Sequence, residues 1–424
     1  MIGVPTIAGD DAAFSEYARL LAELFPLVHE RLDLERIGPD ARGHLFRWAG
    51  AGGDRVVVLM AHTDVVPVDA SAGWDEQPFA GVVRDGRVFG RGTLDDKGPQ
   101  IVVLEAVENL LGAGWTPQSD VYLFFGSNEE TYGGDAEHVS ALLQERGILP
   151  WLVLDEGGAV VDAPLSFVPV KAAMVGVAEK GIMTVRLTVR STGGHASAPP
   201  RPTTAGRLAR AIARVESGAF AARMPQATRS MFAAFAPHVS SRHRLLLRAL
   251  RTAHGVAARV LASQGGEPAA LMQTTVVTTM LGGGEAANVL PAALTATINI
   301  RIAQGETVTS VVERLRARIA DDSIAIEVLE GTDPSPVSAI DNEQFALIRA
   351  GVDATYPGTV TAPYIMMAAT DARHLHRFAP AVYRFSPLAM TKEQRAGIHG
   401  ANENVEIDSL ERGERFFQHL LLSL

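Results

Sequence analysis

Five short acidic or histidine motifs lie in one order along the sequence: His62-Thr63-Asp64, Asp95-Asp96, Glu129-Glu130, Asp155-Glu156 and, far downstream, His399. Donors of this kind and number can hold two metal ions. A dinuclear hydrolytic site needs a carboxylate shared by the metals, a His and a carboxylate for each, and a free carboxylate to take a proton from water. The chain contains no cysteine, which excludes thiolate ligands and a disulfide framework. His and carboxylate donors suit zinc, with cobalt or manganese as substitutes. From an extended backbone the side chains of His62 and Asp64 point the same way, so Asp64 can accept the proton of the second imidazole nitrogen and fix the tautomer. Glu129 and Glu130 diverge, so that one can ligate while the other faces the substrate. The glycines of Gly90 to Gly98 give the backbone freedom to aim one carboxylate of Asp95-Asp96 at both metals.

The elements that must position these residues are legible as hydrophobic runs. The first four motifs sit at or just after Val56 to Met60, Val88 to Phe89, Val121 to Phe125 and Leu152 to Leu154. Strand ends are where ligands bind in open α/β sheets. Residues 10–31 carry Phe14, Tyr17, Leu20, Leu21, Leu24 and Phe25 at helical spacing and predict one amphipathic helix. Strands at 55–60, 121–125 and 151–154 alternate with helices at 99–111 and 136–146, and a hairpin over 82–89 turns at Asp85-Gly86. The pattern predicts an α/β fold with a mostly parallel sheet and helices on both faces. After Glu179-Lys180-Gly181 it changes to β-α-β-β-α-β, a ferredoxin-like α+β lid. The expected division is a discontinuous catalytic domain of residues 1–180 and 331–424, with a lid or dimerisation domain of residues 181–330.

A segment at about 219–270 interrupts the lid. It holds seven Arg, no Lys and one acidic residue, Glu267. It reads as a helical hairpin packed on the lid with solvated arginines, although a basic amphipathic helix can also meet a membrane, an acyl chain or a partner. The whole chain is acidic, with net charge -10, which argues against nucleic acid as partner. No apolar stretch approaches the roughly 20 residues of a membrane span, and no signal peptide is read at the amino terminus. The expectation is a cytoplasmic protein without membrane contact.

The ordered motifs resemble those of the two-zinc amidohydrolase and peptidase family that includes carboxypeptidase S, glutamate carboxypeptidase, aminoacylase, acetylornithine deacetylase and succinyl-diaminopimelate desuccinylase. The segments that carry the resemblance are 60–67, 90–98, 128–130, 154–158, 193–197, 288–291 and 398–400. The resemblance implies that Asp95 bridges two zinc ions, that His62 and Asp155 complete one site, and that Glu130 and His399 complete the other. Glu156, directly after Asp155, is the alternative carboxylate. It implies a cis peptide between Asp95 and Asp96, Glu129 as general base toward a zinc-activated water, Asp64 as partner of His62, and His195 as oxyanion donor from the lid. Asn288 and Arg301 resemble residues that bind the substrate's carbonyl and carboxylate, and Arg373 in Thr370-Asp371-Ala372-Arg373 shares the latter duty. Within the family the sequence is most similar to the carboxypeptidase S branch, with its N-fatty-acyl amino acid hydrolases. The expected reaction is hydrolysis of a peptide or N-acyl amino acid, a small-molecule substrate, to release an amino acid with a free carboxylate. An aminopeptidase or dipeptidase on the same zincs is the alternative, and a non-catalytic binding protein of the same fold a remoter one. The expected assembly is a homodimer through the lid, or a monomer.

Overall fold

The computed structural model describes residues 1–424 except 70 and 219; Ala219, where the insert was read to begin, lies outside the described residues. A nine-stranded sheet runs in the order 33–37, 43–48, 121–126, 57–62, 152–155, 382–384, 171–179 and 360–366, with 160–162 also paired to 171–179. Its central strands are parallel and its 33–48 edge is an antiparallel hairpin. The hydrophobic runs are continuous because both faces of the sheet are covered. Val57, Leu59 and Ala61 pack into one core with Tyr17, Val107 and Phe416, while Val58 and Met60 pack into a second with Val139, Leu143 and Leu375.

The first helix is broken where the sequence pattern predicted continuity. It spans Asp11–Leu24, and a short helix follows over Pro26–Arg31. Pro26 has no N–H to donate and its ring excludes the helical conformation for the residue before it; Phe25 accordingly sits at φ -124, ψ 65.

The second sheet has four antiparallel strands in the order 275–282, 293–302, 181–190 and 324–332, with helices Thr204–Ser217 and Val308–Ile319 closing its own core. Strand Lys171–Glu179 of the large sheet passes through Lys180 straight into strand Gly181–Arg190 of the small one. The insert touches this unit through Phe220, which joins its core beneath Arg314 and Arg318, but its helices pack elsewhere than the sequence reading placed them. Met231, Phe232 and Phe235 of helix Gln226–Phe235, with Leu247 of helix Ser241–Thr252, share a core with Val168, Ala172 and Ala362. Ala362 belongs to strand Val360–Met366, the edge of the large sheet. Covering an open edge with a helix removes it as a site of stray strand pairing, and the apolar side of the insert is spent there.

Candidate metal centre

Strand Val57–His62 is buried along its whole length and delivers His62 at its end, as the β-run predicted. The His62 Nε2 lies 3.0 Å from Asp95 Oδ1 and 4.0 Å from Glu156 Oε1. His399 Nε2 lies 3.1 Å from Asp95 Oδ2 and 3.0 Å from Glu130 Oε1. Two groups of donors result, His62, Asp95 and Glu156 on one side and Asp95, Glu130 and His399 on the other, each with its ligand atoms within 4.8 Å of one another. Asp95 belongs to both, with one carboxylate oxygen turned to each.

The Asp95–Asp96 peptide is cis, as the resemblance implied. The turn before it is built on glycine, Gly92 standing at φ +88, where a side chain is strained. It is fastened by Glu403, a residue sequence reading passed over. One Glu403 oxygen accepts from the Leu94 and Asp95 N–H groups, and the other from Gly92 N and, at 2.6 Å, the Arg91 guanidinium. Asp96 faces away from the donors and accepts from His62 N through Oδ2.

Asp64 does more than orient His62. The His62 Nδ1 is 3.0 Å from the Asp64 main-chain oxygen and 3.4 Å from its carboxylate. The two carboxylate oxygens also accept from the N–H groups of Glu129 and Glu130, at 3.2 and 3.0 Å. One buried carboxylate thus fixes the imidazole and the backbone of the paired glutamates together. Glu130 turns to His399, while the Glu129 side chain, buried beside it, makes no hydrogen bond among the described residues. Burial, above all, raises the Glu129 carboxyl well above the usual range, and it raises Glu156 likewise, with repulsion from Asp95 and Asp96 added.

Asp155, expected beside His62, stands in neither donor group. Its Oδ1 accepts from Glu156 N at 2.9 Å and its Oδ2 from Ala372 N at 2.8 Å, so backbone donors occupy both oxygens. Glu156, one residue past the end of strand Leu152–Asp155, carries its carboxylate into the donor group instead. Successive side chains of an extended chain point opposite ways, so only one of these neighbours can face the site. Asp155 serves by pinning the 370–373 segment. Glu179 helps: its carboxylate accepts from Thr370 N and Oγ1 and from the buried Arg384. Next to Thr370, Asp371 is buried with neither carboxylate oxygen partnered, and its carboxyl is pushed up, chiefly by burial, to about 7.

The remaining predicted residues fall into three places. His195 and Asn288 share an exposed ribbon in which Gly194–His195 pairs with Val289–Leu290 and Ala196 N donates to Asn288 O. His195 bonds only locally, its Nδ1 accepting from Ser197 N, and among the described residues it does not reach the donor groups. Arg301 sits on strand Ala293–Ile302 opposite Ile182, close enough to Lys180 to add to the burial that lowers that ammonium to about 8. Arg373 is buried beside Tyr132, with its guanidinium 5.8 Å from the ring centroid. Arg373 and Tyr132 line a cavity of about 310 Å³ that opens between the loop after Glu130 and the small sheet, with Glu179, Lys180, Ile182 and His374 among its walls; Arg301 is not among its lining residues.

The donor set fits divalent cations. Carboxylates converge with two imidazole nitrogens, and among the described residues no Lys or Arg forms an ion pair with Asp95, Glu130 or Glu156. Residues 58–423 match the model of Peptidase family M20/M25/M40. This chain belongs to that family. It is similar to the N-fatty-acyl-amino acid synthase/hydrolase PM20D1.1 of Danio rerio, 33% identical over 434 residues that cover 99% of this chain and 83% of that protein. It is also similar to the probable carboxypeptidase S-like 2 of Dictyostelium discoideum, at 32% identity over 96% of this chain and 79% of that protein. Among solved structures, the M20 family metallo-carboxypeptidase Sso-CP2 from Sulfolobus solfataricus shares the fold, with a TM-score of 0.72 at 16% identity over 99% of this chain and 96% of that one. The protein is therefore an M20 hydrolase of the carboxypeptidase or N-acyl amino acid hydrolase type acting on a small-molecule substrate, and membership implies a divalent metal. No helix among the described residues is long and apolar enough to cross a membrane.

Proposed function

We propose that this M20 hydrolase holds two zinc ions per chain, with cobalt or manganese as substitutes, and cleaves an amide bond to release an amino acid with a free carboxylate. The observation that carries the reading is the pair of donor groups sharing Asp95, with the unpartnered carboxylate of Glu129 alongside. His62 and Glu156 would hold one ion, Glu130 and His399 the other, and Asp95 both. Bound there, the metals supply Lewis acidity, polarising the scissile carbonyl and making water acidic enough to attack near neutrality. Glu129 takes the proton from the attacking water and later gives it to the leaving nitrogen. Asp64 keeps that carboxylate in place through the Glu129 N–H. Residues 181–330 form the lid, from which His195 and Asn288 meet the substrate carbonyl; Arg301 and Arg373 bind the carboxylate, for which a guanidinium offers a matching fork.

The acyl side of the substrate is apolar in this reading. A cavity between the insert and the end of strand Val360–Met366 has Leu271, Met272, Ile365 and Met367 in its wall, and Met366, within that run, approaches Gly157 next to Glu156. The similarity to an N-fatty-acyl-amino acid hydrolase supports the same choice. The test offers the zinc-loaded protein long-chain N-acyl amino acids and amino-blocked dipeptides and measures the free amino acid by mass spectrometry. A higher kcat/KM for the acyl series is expected. Preference for the dipeptides would make the protein a carboxypeptidase, and release of neither would refute the reading.

A further inference from the structure

The insert buries one side of its helices against the large sheet and leaves the other side rich in leucine and arginine. On helix Ser241–Thr252, Leu245 and Leu246 are 69% and 43% exposed, and Arg242, Arg244, Arg248 and Arg251 are exposed with them. Positions 245, 248, 249 and 252 share one helical face, so Leu245 stands one turn from Arg248. Where this helix meets Gln226–Phe235, an open pocket of about 310 Å³ is lined by Gln226, Arg229, Ser230, Arg248, Arg251 and Thr252.

The three guanidiniums have no acidic partner. Among the described residues none of Arg229, Arg248 and Arg251 forms an ion pair, and the buried Nε of Arg229 has no hydrogen-bond partner at all. Residues 220–266 contain neither Asp nor Glu, so the charge is not balanced locally, in a protein of net charge -10. Guanidinium forks edged by the hydroxyls of Ser230 and Thr252 and the amide of Gln226 are a donor set for a tetrahedral oxyanion, and phosphate matches it.

We propose that this pocket binds the phosphate of an anionic phospholipid and that Leu245 and Leu246 enter the bilayer interface beside it, docking the insert on a membrane surface. The leucines decide between lipid and free phosphate. A soluble phosphate ligand would leave them in water, whereas an interfacial helix buries its apolar residues at the level of the headgroups while its arginines stay at the charged surface. An acidic protein would satisfy the arginines too, but the juxtaposition of a phosphate-shaped pocket and exposed aliphatic side chains is that of a lipid interface. Docking does not depend on the proposed activity. If the substrates carry fatty acyl chains, it places the enzyme where they partition.

The experiment is cosedimentation of the full-length, zinc-loaded protein with vesicles of phosphatidylcholine alone and of phosphatidylcholine mixed with phosphatidylglycerol. Binding to the mixed vesicles, weakened by added salt, is expected. The double replacement Arg248→Gln and Arg251→Gln should lower partitioning roughly 30-fold, the effect of removing two arginines from an anionic surface. Leu245→Asp should lower it independently without touching the pocket, and thermal unfolding of each variant is checked against the parent. Equal binding to both vesicle types, or binding unchanged in both variants, would overturn the proposal. So would calorimetric binding of inorganic phosphate without vesicle binding, which would leave a soluble anion as the ligand.

Discussion

Amide replacement of Glu156 and of Asp155 separates two carboxylates that are adjacent in sequence and opposite in role. Glu156→Gln keeps the side-chain volume and removes one of the two anionic donors beside His62. Removing an outer partner of a ligand costs roughly 10- to 100-fold in metal affinity, so the loss of a direct donor should exceed that. Asp155→Asn acts on stability instead. Its two oxygens accept from Glu156 N and Ala372 N; an asparagine offers one oxygen and turns its amide against the other N–H. A buried donor left unmet costs about 1–3 kcal/mol. Unfolding entropy of about 2.1 cal/mol/K per residue, or roughly 0.9 kcal/mol/K for this length, converts that into a Tm loss of about 1–3 °C. The assay is metal content by mass spectrometry after equilibration in a zinc buffer, with calorimetry on the same samples. Glu156→Gln should lose zinc, and Asp155→Asn should keep it and melt earlier. An Asp155→Asn protein that loses an ion while Glu156→Gln retains both would refute the assignment.

Asp64→Asn should lower kcat by roughly 10- to 100-fold with the fold intact, because one amide cannot accept from both the Glu129 and Glu130 N–H groups; unchanged steady-state kinetics would remove Asp64 from the site. Acid sensitivity should trace in part to His376, away from the metal donors. Its Nδ1 accepts from Arg384 and its Nε2 lies 3.0 Å from Ser338 Oγ, and burial, then Arg384, lowers it to about 3 from 6.5. The folded pKa lies below the unfolded one, so stability is complete above pH 6.5 and falls as the pH drops toward 3, by up to about 1.4 kcal/mol per pH unit. Urea unfolding of the metal-free protein between pH 6.5 and 4 should show a shallower pH slope in His376→Gln, and equal slopes would exclude this histidine as the source.

The central strands were legible because burial on both faces turns each into an uninterrupted apolar run, and the ligand motifs follow where those runs end. The positions of His62 at the end of Val57–His62 and of Glu129 just past Val121–Gly126 follow from those runs, while the roles expected of them came from the family resemblance. The hairpin of Asp33–Ile37 and Gly43–Trp48 was not legible: its outer strand is largely exposed and charged, so no hydrophobic period marks it. The break at Pro26 carried its signal in the sequence, outweighed in the reading by the helical spacing on either side. The choice between Asp155 and Glu156 turns on where a strand stops, and a shift of one residue reverses which side chain faces the site. Glu403, about 300 residues from the turn it fastens, and the docking of the insert on strand Val360–Met366 depend on tertiary contacts that no local pattern encodes.

The central claim is that the shared-Asp95 donor groups hold the metals while Glu129 moves the proton. The most direct measurement is zinc stoichiometry and amide turnover on the same preparation of Glu129→Gln. The account predicts two zinc ions per chain, as in the parent, with turnover abolished; a variant that keeps its turnover, or one that fails on both counts because its zinc is gone, would contradict it.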